Sequence, residues 1–137
     1  MRCFIDTNIL ISAGLFPKSI PALALMKALT PPNVTILSDY SLDEMHRVIN
    51  KKFPEKLRDL ELFLYRTLLS VQLMKTPTIV HDEESKIRDI KDTPILRSAI
   101  ESKADVLITG DKDFLESTVT NPRILTASQF VREFDCI

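Results

Sequence analysis

An apolar run that stops on a carboxylate limits this chain more than any other feature: Cys3-Phe4-Ile5 passes at once into Asp6-Thr7-Asn8. The pattern returns about a hundred residues later, where Val106-Leu107-Ile108 leads into Thr109-Gly110-Asp111-Lys112-Asp113. A strand buried on both faces of a parallel sheet reads as a short continuous apolar run, not as an alternation. In an open α/β sheet the ligand crevice lies beyond the carboxyl ends of such strands. Two strands that each end in Asp therefore aim negative charge at one small region. Repulsion and desolvation make that costly unless something offsets it, most simply a bound cation. A metal site at the carboxyl edge of a parallel sheet is the first expectation.

The rest of the chain fits such a sheet. Strand-like runs fall at 3–5, 34–37, 106–109 and 123–125, with weaker ones at 71–74 and 78–80; helical patterns cover 8–15, 21–29, 41–52, 57–69, 93–102 and 126–134. This alternation implies right-handed crossovers and a three-layer α/β/α sandwich around a central, mainly parallel sheet of about five strands. No repeat, low-complexity tract or long linker divides the sequence, so residues 1–137 are expected to form one domain. Residues 71–88 are the least legible stretch.

Composition excludes several chemistries. With only Gly14 and Gly110, neither a G-x-G-x-x-G dinucleotide loop nor a Walker A loop can be written. The net charge of −1 leaves no basic footprint of the kind that coats DNA. Setting aside Asp6, Glu44, Asp92 and Asp111 leaves 18 basic against 15 acidic residues, so nucleic-acid affinity would have to come from a local groove and a metal. Cys3 and Cys136 form no C-x-x-C and read as reduced thiols. Asp6 interrupts any signal-peptide core, and the apolar stretch 20–29 is too short to span a bilayer. A soluble cytoplasmic protein without membrane association is expected.

Each candidate acid has a plainer reading beside it. Asp6 sits at a strand end, and Thr7 or Asn8 can cap the following helix in its place, which favours Asp6 as a ligand. Asn8 can orient a carboxylate or a water, and Ser12 shares its helix face. Glu44 is the fourth residue of Ser41-Leu42-Asp43-Glu44, a capping-box pattern, so capping and catalysis both remain open. Asp92 precedes Thr93-Pro94 and is itself a possible N-cap. Its helix nevertheless leads into the strand at 106, which places its N-terminus at the edge where Asp6 and Asp111 emerge. Gly110 permits a sharp exit that leaves Asp111 at the strand end, with Thr109 as its hydroxyl support. Asp113 either backs the ligands or caps a helix, and Asp89 is a weaker candidate. His46 and His81 stand alone, without a second ligand at zinc spacing.

Taken in order, these landmarks resemble a PIN domain. They are the opening D-T-N with Ser12, the spacing from Asp39 through Glu44 to Val48, and the run Arg88-Asp89-Ile90-Lys91-Asp92. Ile95-Leu96 with Ala99 follows, then Ala104-Asp105 leading into Thr109-Gly110-Asp111-Lys112-Asp113-Phe114, and finally Ile124-Leu125-Thr126 with Phe130. Within that family the chain looks most like the small toxin components of toxin–antitoxin pairs. Two positions depart from the common pattern: Thr93 stands where many relatives have a second Asp, and Ile90 where Pro is frequent.

The resemblance implies a PIN-like fold and a metal-dependent endoribonuclease. Asp6, Glu44, Asp92 and Asp111 become its catalytic and metal-binding acids, with Thr7, Asn8, Ser12, Thr109 and Asp113 in support. Mg²⁺ or Mn²⁺ suits such hard oxygen ligands. Asp6 and Asp92 would hold the principal ion. An RNA substrate, single-stranded because sequence-specific recognition mostly targets unpaired segments, is implied. So are an antitoxin protein and a homodimer, while Arg47, Lys51, Lys52 and Lys112 are candidates to track the RNA backbone. Two rivals remain: an inactive RNA- or partner-binding PIN-like domain, and a haloacid-dehalogenase-like phosphatase. The phosphatase pattern needs a second Asp two positions after the first, where this chain has Asn8.

Overall fold

The computed structural model describes residues 1–134; Cys136, read above as a reduced thiol, lies outside the described residues. Strands β1 (Arg2–Ile5), β2 (Val34–Ser38), β3 (Val71–Met74), β4 (Val106–Ile108) and β5 (Arg123–Leu125) form one sheet in the order β3-β2-β1-β4-β5. Every pairing is parallel. β1 lies at the centre, with Phe4 beside Ile36 on one side and Leu107 on the other. The chain moves outward from β1 through β2 to β3, then crosses back to place β4 on β1's other edge. The β1–β4 boundary is thus the topological switch point, where open α/β sheets bind their ligands.

Helices α1 (Thr7–Leu15), α2 (Ile20–Leu29), α3 (Asp39–Lys52), α4 (Leu57–Leu68), α5 (Thr93–Glu101), α6 (Lys112–Leu115) and α7 (Ala127–Glu133) fill the connections. The alternating side chains of β1 divide the core. Cys3 and Ile5 join one cluster with Leu10, Leu25, Met45, Leu60 and Phe130, so α1, α2, α3, α4 and α7 cover that face. Phe4 points the other way and packs with Ile36, Leu96, Leu107 and Phe114, under α5 and α6. The three-layer sandwich expected from the pattern is the observed one. All of Cys3–Ile5 and Val106–Ile108 is inaccessible to solvent, which is why both strands read as unbroken apolar runs.

The expectations fail where local pattern and tertiary packing part company. Residues 78–80 form no strand; Ile79 and Val80 are exposed in the irregular stretch between β3 and α5, which holds only 3₁₀ turns at Asp82–Lys86 and Ile90–Asp92. Helix α3 begins two residues earlier than expected. Ser38 is its N-cap and accepts from the Ser41 N–H at 3.2 Å, so Ser41 lies inside the first turn and the S-x-x-E capping box does not form. No single helix among the described residues is long and apolar enough to cross a membrane.

Gly14 allows α1 to lie against α4. A Cβ there would stand 2.6 Å from Leu60 Cδ2 and 2.9 Å from Phe63 Cδ2. Leu60 Cδ2 is a side-chain end but Phe63 Cδ2 is a ring carbon, so Gly14→Ala requires both neighbours to shift and is expected to be mildly destabilising despite its gain in helix propensity. Gly14→Val adds a branched side chain that neither neighbour can clear. It is expected to lower the urea unfolding free energy by about 1–3 kcal/mol.

Candidate metal centre

Asp6 takes its place because β1 ends there. Its N–H still donates to the Ile108 carbonyl at 3.0 Å, as the last rung of the β1–β4 pairing, while its residue geometry is the N-cap of α1. Asp6 therefore caps the helix itself, where Thr7 or Asn8 was expected to do so. One oxygen, Oδ1, accepts from the Thr7 N–H at 2.7 Å; the other, Oδ2, accepts from the Thr109 hydroxyl at 2.7 Å. Capping uses only half of the carboxylate. Thr109 Oγ1 also accepts from the Asp111 N–H at 3.0 Å, so one hydroxyl at the end of β4 spaces two acids. Asp111 in turn caps α6, accepting from the Asp113 N–H at 2.9 Å.

The two acids that could pass for helix caps do not cap through their side chains. Glu44 lies half-buried in the second turn of α3, six residues after the true N-cap, and its charge raises the pKa of Asp6. Asp92 precedes α5, yet its backbone is already helical and its side chain makes no capping bond. Its Oδ2 is buried without a hydrogen-bond donor. An acceptor left in that state costs about 1–3 kcal/mol unless a cation or water satisfies it.

The electrostatics join these four residues into one group. Burial is the main reason the Asp6 carboxyl is pushed up to about 6; its Thr109 and Thr7 donors oppose this, and the charges of Glu44 and Asp111 add to it. Asp92 is pushed up to about 8, first by burial and then by Asp111, whose carboxyl competes with it for one proton; Asp6 and Asp89 contribute further repulsion. Asp92 also belongs to a second, outer group, in which Asp89, Asp92 and Asp113 bring oxygens within 4.8 Å of one another. That group is tighter in distance but better compensated. Asp113 faces the Arg88 guanidinium at 3.0 Å, and Asp89 accepts from the Lys91 N–H. Asp92, with its donor-free oxygen, is common to both groups. The inner group of Asp6, Glu44, Asp92 and Asp111 adds the buried Asp6, whose carboxyl is raised by burial and by the charges of Glu44 and Asp111. The inner group's all-oxygen, hard donor set fits a divalent cation such as Mg²⁺.

The supporting residues divide. Thr109 does more than expected, since it holds Asp6 as well as Asp111. Asn8 orients no carboxylate; its Oδ1 accepts from the Gly110 N–H at 3.3 Å and ties the ends of β1 and β4 together. Thr7 is buried and its hydroxyl has no partner. Ser12 lies half-buried in the second turn of α1, and no hydrogen bond joins its hydroxyl to the acids among the described residues. Arg47 hydrogen-bonds to Tyr40 beside the acids. Lys51 and Lys52 stand at the far end of α3, roughly 10 Å along the axis from Glu44. His46 Nδ1 faces the Leu42 carbonyl, and His81 Nε2 faces Glu101.

Two residues that hold the site together escaped the sequence reading. Tyr40 donates its hydroxyl to the Lys91 carbonyl at 2.6 Å, one residue before Asp92. Asp39, read only as part of a spacing, accepts from both the N–H and the hydroxyl of Thr76. Their partners lie 51 and 37 residues away in the chain, so no local pattern announces them.

The raised acids have a sign that can be measured. In metal-free protein they keep protons that the unfolded chain releases near pH 4, so their contribution to stability is complete below about that value. It is lost as pH rises through about 6 for Asp6 and about 8 for Asp92. Asp39, where donors from Thr76 and Tyr40 outweigh burial, and Glu84, where Arg97 does so, have lowered values and act oppositely, losing stability as acid protonates them. Thermal unfolding in EDTA should thus show stability declining from about pH 5 to pH 8, with Asp92→Asn flattening the upper part. A melting temperature that climbs across this window overturns the electrostatic account.

Comparison with known proteins bears on the family and the fold. A family model described as "PIN domain" matches residues 2–113. A search of curated protein sequences finds no match. Among solved structures, the chain is similar to VapBC2 from Rickettsia felis, solved bound to a DNA fragment from its promoter. The TM-score is 0.67 at 18% identity, over 92% of this chain and 97% of that one. It is also similar to Mycobacterium tuberculosis VapC20, described as a sarcin–ricin loop cleaving toxin, with TM-score 0.59 and 15% identity over 83% and 93% of the two chains. At these identities the likeness speaks for the fold, while the family model covers most of the sequence and all four acids. The chain belongs to the PIN domain family.

Proposed function

We propose that this chain is a metal-dependent endoribonuclease and the toxin of a toxin–antitoxin pair. The observation that carries the reading is the gathering of Asp6, Glu44, Asp92 and Asp111 at the switch point of the sheet, with a buried Asp92 oxygen that no donor satisfies. Asp6 and Asp92 would hold the principal Mg²⁺ or Mn²⁺, and Glu44 and Asp111 would complete its shell or that of a second ion. Bound there, the ion supplies a water of lowered pKa and charge stabilisation for phosphodiester hydrolysis. Among the chain's own groups, Thr109 fixes Asp6 and Asp111 relative to each other. Tyr40 sets the backbone that delivers Asp92. Arg47 and Lys112 flank the acids, where a phosphodiester strand would enter and leave. Thr93 offers a hydroxyl in place of a further carboxylate, which weakens a second metal position.

RNA as substrate is supported by the family and by a relative named for cleaving the sarcin–ricin loop, and the single-stranded form by the general targeting of unpaired segments in sequence-specific recognition. An antitoxin partner follows in the same way from a relative solved as VapBC2 on promoter DNA. A homodimer is the accompanying assembly proposal. The phosphatase rival loses ground because Asn8 is engaged with the Gly110 N–H instead of facing the acids.

EDTA-stripped protein should cleave single-stranded RNA only after Mg²⁺ or Mn²⁺ is restored. Asp6→Asn is expected to lower that rate at least about a hundredfold while leaving the metal-free protein folded. Equal cleavage by the two proteins would sink the assignment. Tyr40→Phe removes the bond to the Lys91 carbonyl together with the contact to Arg47. It is expected to weaken Mn²⁺ binding by about tenfold in calorimetry, through looser placement of Asp92.

A further inference from the structure

Beside the acids lies a cavity of about 780 Å³, between the irregular stretch before α5 and the start of that helix. Its volume falls within the roughly 300–1,000 Å³ of sites that enclose small organic ligands. Arg88, Ile90 and Thr93 line it and alternate in sequence with Asp89 and Asp92, so cavity and acidic group share a wall. That wall is apolar where it meets solvent: Ile90 is 80% exposed and Val80, across the cavity, 64%. Two exposed aliphatic side chains lining one cavity gain burial only when something occupies it.

The cavity is also preformed. Arg97 grips both oxygens of Glu84, at 3.1 and 2.9 Å, and donates to the Pro77 carbonyl; Glu84 accepts from the His81 N–H at 2.6 Å. This buried ion pair ties a segment without strands onto α5. Charges in the lining are mostly matched within the protein: Glu84 with Arg97, His81 with Glu101, and Arg88 with Asp113 and Glu116. Among the described residues no ion pair is seen for Asp82, and the formal charges of the lining leave no net positive charge inside it, Arg88 standing at its edge. The hydroxyls of Ser85 and Thr93 donate to the Asp82 and Ile90 carbonyls and so turn acceptor lone pairs outward. Aliphatic walls, hydroxyl acceptors and no net positive charge describe a site for an uncharged, flat, N–H-bearing group.

We propose that this cavity is a nucleobase subsite. It receives one unpaired base of the RNA strand whose neighbouring phosphodiester lies at Asp6 and Asp92. The proposal rests on the nuclease reading and adds to it the part of the substrate that is recognised. Val80 and Ile90 contact the faces of the base, and Ser85 and Thr93 accept from its edge. Arg88, at the boundary, meets the backbone between base and scissile phosphate.

The test compares wild type with the Val80→Ser, Ile90→Ser double variant, whose exposed positions leave the core untouched. The probes are a short single-stranded oligoribonucleotide and a chain of equal length built from tetrahydrofuran abasic units, both with Mn²⁺. The double variant is expected to raise KM for the oligoribonucleotide about tenfold with kcat within about twofold, and to leave KM for the abasic chain unchanged. Ser85→Phe, which fills the cavity, should act in the same direction. Unchanged KM on the oligoribonucleotide, with wild type active, overturns the subsite alone and assigns the aliphatic wall to a protein partner. A loss that is equal on both probes also overturns it, because the effect then lies in the acids. Wild type that hydrolyses neither probe overturns the nuclease reading, and the subsite with it.

Discussion

The hydrogen bond from Thr109 to Asp6 joins the ends of β1 and β4 where the buried acids converge. Asp6 is 5% exposed, at the end of the central strand, and every other acid of the site bears on it directly or through Asp92. A carboxylate so placed would ordinarily be expelled or kept protonated. Here the Thr109 hydroxyl and the Thr7 N–H offset part of the burial, and both come from backbone that the sheet and α1 already hold still. The same hydroxyl takes the Asp111 N–H, so the distance between two repelling groups is set by one side chain at the β1–β4 boundary. The sheet is built first by apolar burial, and its rigidity is what keeps the acids from relaxing apart.

Asp92 needs a different support, because it comes from a segment with no strand to hold it. The stretch between β3 and α5 is fastened from two directions. From α3, Asp39 holds Thr76 and Tyr40 holds Lys91. From α5, Arg97 holds Glu84 and Pro77. The first pair fixes the ends of the stretch and the second its middle. Long-range side-chain bonds here replace the backbone ladder that positions Asp6 and Asp111.

This difference in support explains what could be read in advance. Where backbone pairing places a residue, the chain announces it: Cys3-Phe4-Ile5 and Val106-Leu107-Ile108 are apolar throughout because both faces are covered, and the acids after them are found by position alone. β3 is fainter because Gln72 and Leu73 are exposed at the sheet edge. Residues 78–80 carry strand-like side chains but no strand: Ile79 and Val80 are exposed, and only Val80 lines the cavity. Glu44 was ambiguous because Ser41 imitates a cap, and only the bond from Ser41 N–H to Ser38 Oγ decides the matter. Tyr40 and Arg97 left no local trace, since each acts on residues from another part of the chain.

Capping and cation binding are often weighed as alternatives for an acid at a helix start, yet a carboxylate has two oxygens. Asp6 and Asp111 each give one to a backbone N–H, which fixes the direction of the group before any ion arrives. Among the described residues Asp92 and Glu44 make no such bond, and one Asp92 oxygen has no donor. The site therefore pairs two aimed acids with two adaptable ones. On the proposed reading, the two aimed acids and the two adaptable ones would together hold a hard cation. The outer acids, Asp89 and Asp113, show the contrast: with Arg88 and the Lys91 N–H already beside them, they have less to gain from an ion. Asp92 is shared between the two groups, so its position ties the inner acids to the outer ones.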